Sequence, residues 1–315
     1  MKGAVKMTQA IVTISSINKA ELVKQWIKFA DVAPTTQKNY NNALKFFFSY
    51  LNENQIATPT RDDVIAFRDS LLKTRKPSTV KLYMAAVKLF FKFLEVQGIY
   101  KNITSNVKNI KVEEGHKRDA FSSNDARKIL NDIDTSSLKG KREKACIALM
   151  MVCGLRSCEI VRADVGDLTT TCGRLFLHVH GKNRSGKDDV VAIPAAVENL
   201  INDYLKARGN VADDEPLFTA ISNRNHGQRL QTQTVSRMAK SAFKTSGFNS
   251  PRLTCHSCRH TAAVTMLMNM QGDPTALLKI QMVLRHKQIS TTQIYLQHLS
   301  RLKNDAEEVA ASAIL

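Results

Sequence analysis

The stretch around which the chain is organised runs from His256 to Tyr295 and reads HSCRHTAAVTMLMNMQGDPTALLKIQMVLRHKQISTTQIY. His256 and Arg259 lie three residues apart, so on a helix they share one face. His286 and Tyr295 flank a Ser-Thr-Thr run that suits the start of a new helix. Two imidazoles, a guanidinium and a phenol can together attack a phosphodiester: the phenol as nucleophile, the imidazoles to move protons and the guanidinium to hold the phosphate.

Two upstream segments add further cations to this set. The first, GLRSCE, carries Arg156 and Glu159 directly after an apolar helical run that Gly154 ends. The second, HGKNRSGK, lies between two predicted strands, 175–179 and 190–193, and its composition is typical of a hairpin tip. Lysine at such a tip is usually solvated, and the loop offers three candidate cations, namely Lys182, Arg184 and Lys187.

These residues resemble, in their order, the pattern of the tyrosine recombinases, the family of phage integrases and Xer proteins. The family pattern is Arg … Lys … His-x-x-Arg … His … Tyr, and the resemblance runs from about residue 20 to the C-terminus. It selects the lysine after the first strand's glycine and implies the catalytic set Arg156, Lys182, His256, Arg259, His286 and Tyr295. One departure is Leu284-Arg285-His286, where the family usually has Leu-Gly-His, because a side chain replaces a conformationally free glycine.

The resemblance implies a site-specific DNA recombinase that works by transesterification. Tyr295 would attack the scissile phosphate and form a 3′-phosphotyrosyl bond, Lys182 would protonate the departing 5′-oxygen, and His256 would assist proton movement. The bond energy stays in the covalent intermediate, so we expect no ATP, no metal and no other cofactor. A type IB topoisomerase-like nicking-closing enzyme and a DNA-binding architectural protein without chemistry are the alternatives.

The remaining residues of the set would act on the phosphate itself. Arg156 and Arg259 are expected to hold its non-bridging oxygens, and His286 to donate a further hydrogen bond. Glu159 lies one helical turn after Arg156. It is either a surface ion-pair partner or a carboxylate that orients the cations, and the resemblance favours the second role.

Composition agrees with an acidic polymer as the partner. The 315 residues carry a formal net charge of +18 with a pI near 9.7, although a merely basic soluble protein is the alternative. No run reaches the roughly 18 apolar residues of a membrane span, and the N-terminus lacks a signal pattern. We expect a cytoplasmic protein, nucleoid-associated in a prokaryotic cell. Its expected partner is double-stranded DNA with a specific recombination site. We expect the chain to be a monomer in solution and to form a homotetramer on two duplexes.

The six cysteines suggest free thiols in an intracellular chain. Cys255-x-x-Cys258, flanked by His256 and His260, is one half of a zinc-site pattern. A zinc site needs a second ligand pair at matched spacing, and the sequence offers none. We therefore predict no metal site.

The predicted fold is mainly α, with an N-terminal four-helix core-binding bundle and an α-rich catalytic domain that contains a small antiparallel β-sheet. We divide the chain into a flexible N-terminus (1–17), the core-binding domain (18–102), a polar linker (103–119), the catalytic domain (120–300) and a tail for possible subunit docking (301–315). The four helices are predicted near 19–30, 34–54, 60–73 and 78–97, from apolar residues at helical spacing.

Basic side chains on these helices are candidates for DNA contact, although charge on a helix is more often an ordinary solvated face. Two lysine stripes in one basic bundle favour the DNA role, and a later helix near 232–243 adds two more cations. The predicted DNA-binding residues are Lys38, Lys45, Lys81, Lys88, Lys92, Arg237 and Lys240.

Overall fold

The computed structural model describes residues 19–111, 119–180, 186, 189–222, 225–295, 311, 312 and 314. The predictions for residues 1–17, for Lys182 and for most of the tail 301–315 lie outside these residues. The chain forms two compact units, Met1–Glu114 and Gly115–Leu315. The predicted domain boundaries remain predictions, and the unit boundary falls inside the segment proposed as the linker.

The first unit contains four helices among its described residues: α1 (Lys19–Ala30), α2 (Pro34–Glu53), α3 (Arg61–Thr74) and α4 (Pro77–Val96). Proline at the first position of α2 and α4 suits a helix start, because its missing N–H has no partner there in any case. Thr60 and Asp63 form a capping box at the start of α3, with the Thr60 N–H donating to the Asp63 carboxylate at 2.7 Å. The apolar faces of the four helices pack into one core.

An aromatic cluster forms much of that core. The fully buried Trp26 stacks on Tyr40 at 5.9 Å between ring centroids and meets the edge of Phe90 at 6.0 Å. Ile103 and Val107 are also buried in this core. The first residues of the predicted linker therefore pack against the bundle.

The second unit consists of helices around a small sheet. Its helices are α5 (Ser123–Asn131), α6 (Leu138–Val152), α7 (Ser157–Arg162), α8 (Ala195–Arg208), α9 (Thr232–Thr245), α10 (Cys255–Asn269) and α11 (Ala276–Leu284), and residues 290–295 are helical too. The predicted fold class is confirmed: the chain is mainly helical, with an antiparallel sheet in the second unit. Among the described residues, no helix is long and apolar enough to cross a membrane.

The sheet has one strand more than the sequence predicted. Its order is β1 (Leu168–Thr171), β2 (Arg174–Val179) and β3 (Asp189–Ile193), all antiparallel. The turn between β1 and β2 places both Cys172 and Gly173 at positive φ, as a two-residue hairpin requires. β1 escaped prediction because three threonines follow its single apolar residue, so alternation of apolar and polar residues is absent.

The end of α6 determines where the functional residues lie. Helix α6 is buried along most of its length and ends at Val152, two residues before Gly154, whose φ is +64°. A Cβ on Gly154 would lie 2.6 Å from Cδ2 of Leu284, the last residue of α11. The chain segments that carry Arg156 and His286 therefore meet at this glycine.

Candidate active site

Arg156 and Glu159 form the first part of the site, at the start of α7. The Arg156 guanidinium donates to Glu159 Oε1 at 2.7 Å, and the Arg156 backbone N–H donates to Glu159 Oε2 at 2.8 Å. Glu159 is fully buried, whereas a fifth of the Arg156 side chain is exposed. The carboxylate thus holds an arginine that solvent, or a phosphate, can reach.

Arg259 of α10 connects the two segments that meet at Gly154. Its Nη1 donates to the Gly154 carbonyl at 2.5 Å and its Nη2 to the Leu284 carbonyl. Burial, followed by the charges of Arg156 and Arg285, lowers the pKa of Arg259 to about 9, while Glu159 acts in the opposite direction. That pKa stays above neutrality, so Arg259 remains a cation in a crowded positive site.

Arg285 is a component of this site for which the sequence assigned no role. It lies in the left-handed region at φ 53° and ψ 46° and follows α11 directly. Its guanidinium donates to Glu159 Oε2 at 2.6 Å and to the Val283 carbonyl at 2.6 Å. Burial raises the pKa of Glu159, but Arg285 and then Arg156 outweigh it, so the pKa lies below its ordinary value.

His286 is held by Thr292, a residue that the sequence analysis did not single out. His286 Nδ1 lies 2.9 Å from Oγ1 of Thr292, whose side chain is fully buried. Burial, followed by the charges of Arg259, Arg156, Arg285 and His256, lowers the pKa of His286 to about 4. The ring is therefore neutral near pH 7. If Nδ1 accepts from the Thr292 hydroxyl, the single proton of the ring lies on Nε2.

Tyr295 lies beside the imidazoles of His286 and His260 and is only 4% exposed. Its ring stacks near that of His286, at 6.3 Å between centroids, and meets the edge of His260 at 5.3 Å. Burial raises the pKa of Tyr295, while Arg259 and Arg156 partly offset the increase. The phenol therefore carries its proton at neutral pH.

His256 is the exposed member of the set and lies on α10 one turn before His260. The two rings meet edge to face at 5.0 Å, so His260 lies between His256 and Tyr295. His260 is only 7% exposed and is therefore buried. Its contact with His256 follows from helix geometry, because positions 256 and 260 share one face.

The structure thus brings five of the six predicted catalytic residues into one neighbourhood: Arg156, His256, Arg259, His286 and Tyr295. Lys182 lies outside the described residues. Cations converge there around a neutral imidazole and a phenol, an arrangement that suits binding of an anion whose charge grows during attack.

The predicted DNA-binding residues differ in exposure. Lys38, Lys45, Lys81, Lys92, Arg237 and Lys240 are exposed. Lys88 differs, because its ammonium donates to the Val107 carbonyl at 2.5 Å and to Asn109 Oδ1 at 2.6 Å. Burial, followed by the charge of Arg68, lowers its pKa. Lys88 therefore holds the segment after the bundle.

The two cysteines of the CxxC sequence do not form a cluster typical of zinc. Burial raises the pKa of Cys258 well above its ordinary value, which disfavours the thiolate that zinc binds. Cys255 Sγ lies 3.2 Å from Met150 Sδ. Within the described part of the chain, no group of three or more His, Cys, Asp or Glu side chains is placed to hold a metal ion.

Comparison with known proteins identifies the chain by both of its units. The family described as "Phage integrase family" matches residues 119–301, and "Phage integrase, N-terminal SAM-like domain" matches residues 20–97. Tyrosine recombinase XerD of Listeria innocua is 27% identical over 90% of this chain and 95% of its own length. Tyrosine recombinase XerC of Herpetosiphon aurantiacus is 31% identical over 81% of this chain and 82% of its own.

Solved structures share the fold. XerH recombinase bound to its difH substrate after cleavage superimposes with a TM-score of 0.71 and 20% identity, over 93% of this chain and 84% of that one. A lambda integrase dimer bound to a COC′ core site gives 0.65 and 18%, over 87% and 96%. With both family matches, these likenesses confirm the resemblance inferred from the six-residue pattern. The chain therefore belongs to the phage integrase family and is a tyrosine-type site-specific recombinase.

Proposed function

We propose that the chain cuts and rejoins DNA strands through a 3′-phosphotyrosine at Tyr295. The observation that carries this assignment is the convergence of the Tyr295 phenol and the His286 ring with the cations of Arg156 and Arg259. A phosphodiester accepted there would meet a nucleophile, hydrogen-bond donors and fixed positive charge together. Preorganised charge of this kind is commonly the largest contribution to such catalysis.

The two arginines and His286 have distinct parts in this proposal. Arg156, a fifth exposed and aimed by Glu159, contacts one non-bridging oxygen. Arg259 is buried. Its hydrogen bonds to the Gly154 and Leu284 carbonyls fix the part of the site that would lie beneath the phosphate. Neutral His286 with Nδ1 facing Thr292 offers its Nε2–H to the phosphate without adding a charge.

The proton transfers involve three further residues. His256, exposed at the rim of the site, assists removal of the proton from Tyr295, with His260 packed between the two rings. Lys182 protonates the departing 5′-oxygen, since the compact ammonium of a lysine suits a general acid. A 5′-hydroxyl from another strand then attacks the phosphotyrosine, which releases Tyr295 and reseals the DNA.

The proposed partners are double-stranded DNA with a specific recombination site and further copies of the chain. The net charge of +18 supports a polyanionic partner. One structural relative is a lambda integrase tetramer bound to a Holliday junction. We propose a homotetramer on two duplexes, assembled from monomers, and association with the nucleoid of a prokaryotic cell.

The decisive experiment compares the parent protein with Tyr295→Phe, using Tyr100→Phe as a control in the other unit. Each protein is incubated with fragmented DNA of its own host, and fragments that remain attached in SDS are sequenced. We expect adducts at one site from the parent and Tyr100→Phe, and none from Tyr295→Phe, with DNA binding retained. An SDS-resistant adduct from Tyr295→Phe would refute the assignment, and strand exchange between two mapped duplexes separates recombination from simple nicking and closing.

A further inference from the structure

Two arginines make parallel connections between the segments that carry Arg156 and His286. Arg259 reaches the carbonyls of Gly154 and Leu284, and Arg285 reaches Glu159. In the first connection the side chain of Arg259, a residue of the family pattern, links two backbone carbonyls. The second joins the turn before His286 to the carboxylate that holds the Arg156 guanidinium, and it depends on a side chain where the family usually has glycine.

The backbone of Arg285 shows that this side chain is held against a conformational penalty. Its φ of 53° and ψ of 46° lie in the left-handed region, where the Cβ of a non-glycine residue crowds the following carbonyl oxygen. Glycine would adopt the turn freely, and asparagine tolerates it better than most residues. The arginine side chain is nevertheless only 6% exposed and is ordered by Glu159 and the Val283 carbonyl.

Glu159 consequently serves two guanidiniums through its two oxygens. Oε1 accepts from the Arg156 guanidinium at 2.7 Å, and Oε2 accepts from Arg285 at 2.6 Å and from the Arg156 N–H at 2.8 Å. Because the carboxylate is fully buried, its orientation depends on these donors. Without Arg285, one oxygen would keep only a backbone donor, and the plane of the carboxylate would be less constrained.

We infer that Arg285 is a positioning residue for DNA cleavage: it fixes the Glu159 carboxylate, which in turn aims the Arg156 guanidinium at the scissile phosphate. This inference rests on the proposed role of Arg156. The charges that face Glu159 are those of Arg156 on its own segment, Arg285 after α11, and Arg259 of α10. Arg285 also adds a third guanidinium to the field that acts on His286.

Four variants test the inference: Arg285→Gly, Arg285→Asn, Arg285→Lys and Glu159→Gln. Glycine and asparagine suit the left-handed turn but cannot reach Glu159, so they separate backbone strain from the ion pair. The substrate is a nicked duplex that contains the site mapped with the parent protein. On it we expect Arg285→Gly and Arg285→Asn to lower the single-turnover cleavage rate by about 10–100-fold, typical of losing a supporting contact. DNA affinity should change less than twofold, and lysine should restore part of the rate because it keeps the charge but not the planar donor.

Two readouts distinguish positioning from a general loss of structure. In Arg285→Gly, Glu159 loses its strongest favourable charge, so its pKa should rise and the acid limb of the cleavage profile should move to higher pH. In a Glu159→Gln background, Arg285→Gly should have little further effect on cleavage. A double-mutant cycle in urea over the parent, Arg285→Gly, Glu159→Gln and the double variant should show coupling between the two residues without any DNA.

The inference is overturned if Arg285→Gly and Arg285→Asn cleave at the parent rate with the parent pH profile. Full additivity with Glu159→Gln, in cleavage or in urea, would also refute it. If the proposed function itself is wrong, the parent protein will form no adduct. The urea cycle would then still decide whether Arg285 and Glu159 are coupled.

Discussion

At the scale of single residues, the contact between His286 and Thr292 yields a prediction about proton placement. Thr292→Val keeps the shape of a fully buried side chain but removes the hydroxyl that faces Nδ1. A hydrogen bond contributes about 1 kcal/mol net, so we expect single-turnover cleavage to fall roughly fivefold while DNA affinity stays constant. The adjacent exposed Thr291→Val is the matched control. Equal rates for Thr292→Val and the parent would remove Thr292 from the site.

The same scale shows what sequence reasoning could reach. Arg156, His256 and Arg259 were recognisable because their residue types and spacing form an ordered pattern, and helix geometry placed two of them on one face. Thr292 and Arg285 were not: Thr292 meets His286 across a turn, at a separation of six residues that fits no helical or strand spacing, and Arg285 meets Glu159 across 126 residues of chain. Nothing in the local sequence reports a contact of that kind.

At the scale of elements, the end of α6 depends on Gly154. Gly154→Ala would strain a backbone at φ +64° and bring Cβ to 2.6 Å from Leu284 Cδ2. Overpacking of this kind costs about 1–3 kcal/mol, so we expect lower stability in urea and slower cleavage, since the two segments would be pushed apart. Gly173→Ala is the control, because its φ of +72° carries the strain but no atom lies within 4 Å of the added Cβ. Equal loss in both variants would mean that packing against Leu284 is unimportant.

The lysines of α4 should separate into two classes. Lys81 and Lys92 are exposed, whereas Lys88 holds Val107 and Asn109. Replacing Lys81 and Lys92 with alanine should reduce the slope of log affinity against log salt by about 2, since each phosphate contact contributes about 0.9. Lys88→Ala should instead lower the stability of the first unit to urea. A salt slope that changes equally in Lys88→Ala would restore Lys88 to the DNA-binding set.

Elements with strong periodicity were the predictable ones. Helices α1 to α4 lie close to their predicted positions because apolar spacing, two prolines and a capping box all agree. Periodicity could not distinguish Lys88 from Lys81 and Lys92 of α4. It specifies which face of the helix is buried but not which groups the flanking lysines bind. The hydrogen bonds of Lys88 reach 19 and 21 residues along the chain.

For the whole molecule, two depressed pKa values predict acid sensitivity. His286 has a pKa of about 4 in the folded chain against an ordinary 6.5, so between those values the unfolded chain binds a proton that the folded chain excludes. The pKa of Glu159 is also lowered, so its stabilising effect is lost as pH falls through the folded-state value. Stability in urea should therefore decline as pH drops from 6.5 towards 4. His286→Gln should flatten this decline, and an unchanged slope would contradict the low pKa of His286.

The division into two units was partly visible in the sequence. The polar stretch after residue 102 marked the change, but Ile103 and Val107 are buried against the bundle. Isolated apolar residues in a polar segment carry no periodic signal, so their burial could not be foreseen. Family membership emerged earlier than these boundaries because it rests on an ordered set of residue types rather than on packing.

The burial of Tyr295 has a consequence for how such an enzyme coexists with a genome. While the helical segment 290–295 keeps this position, the phenol is 4% exposed, protonated and packed against two histidines, so little of it is open to a phosphate from solution. We therefore expect copies whose segment 290–295 stays in this position to leave the chromosome uncut, however many the cell makes. The number of breaks would then depend on how often this segment shifts, so we expect the amount of the protein and the danger to the host to be uncoupled.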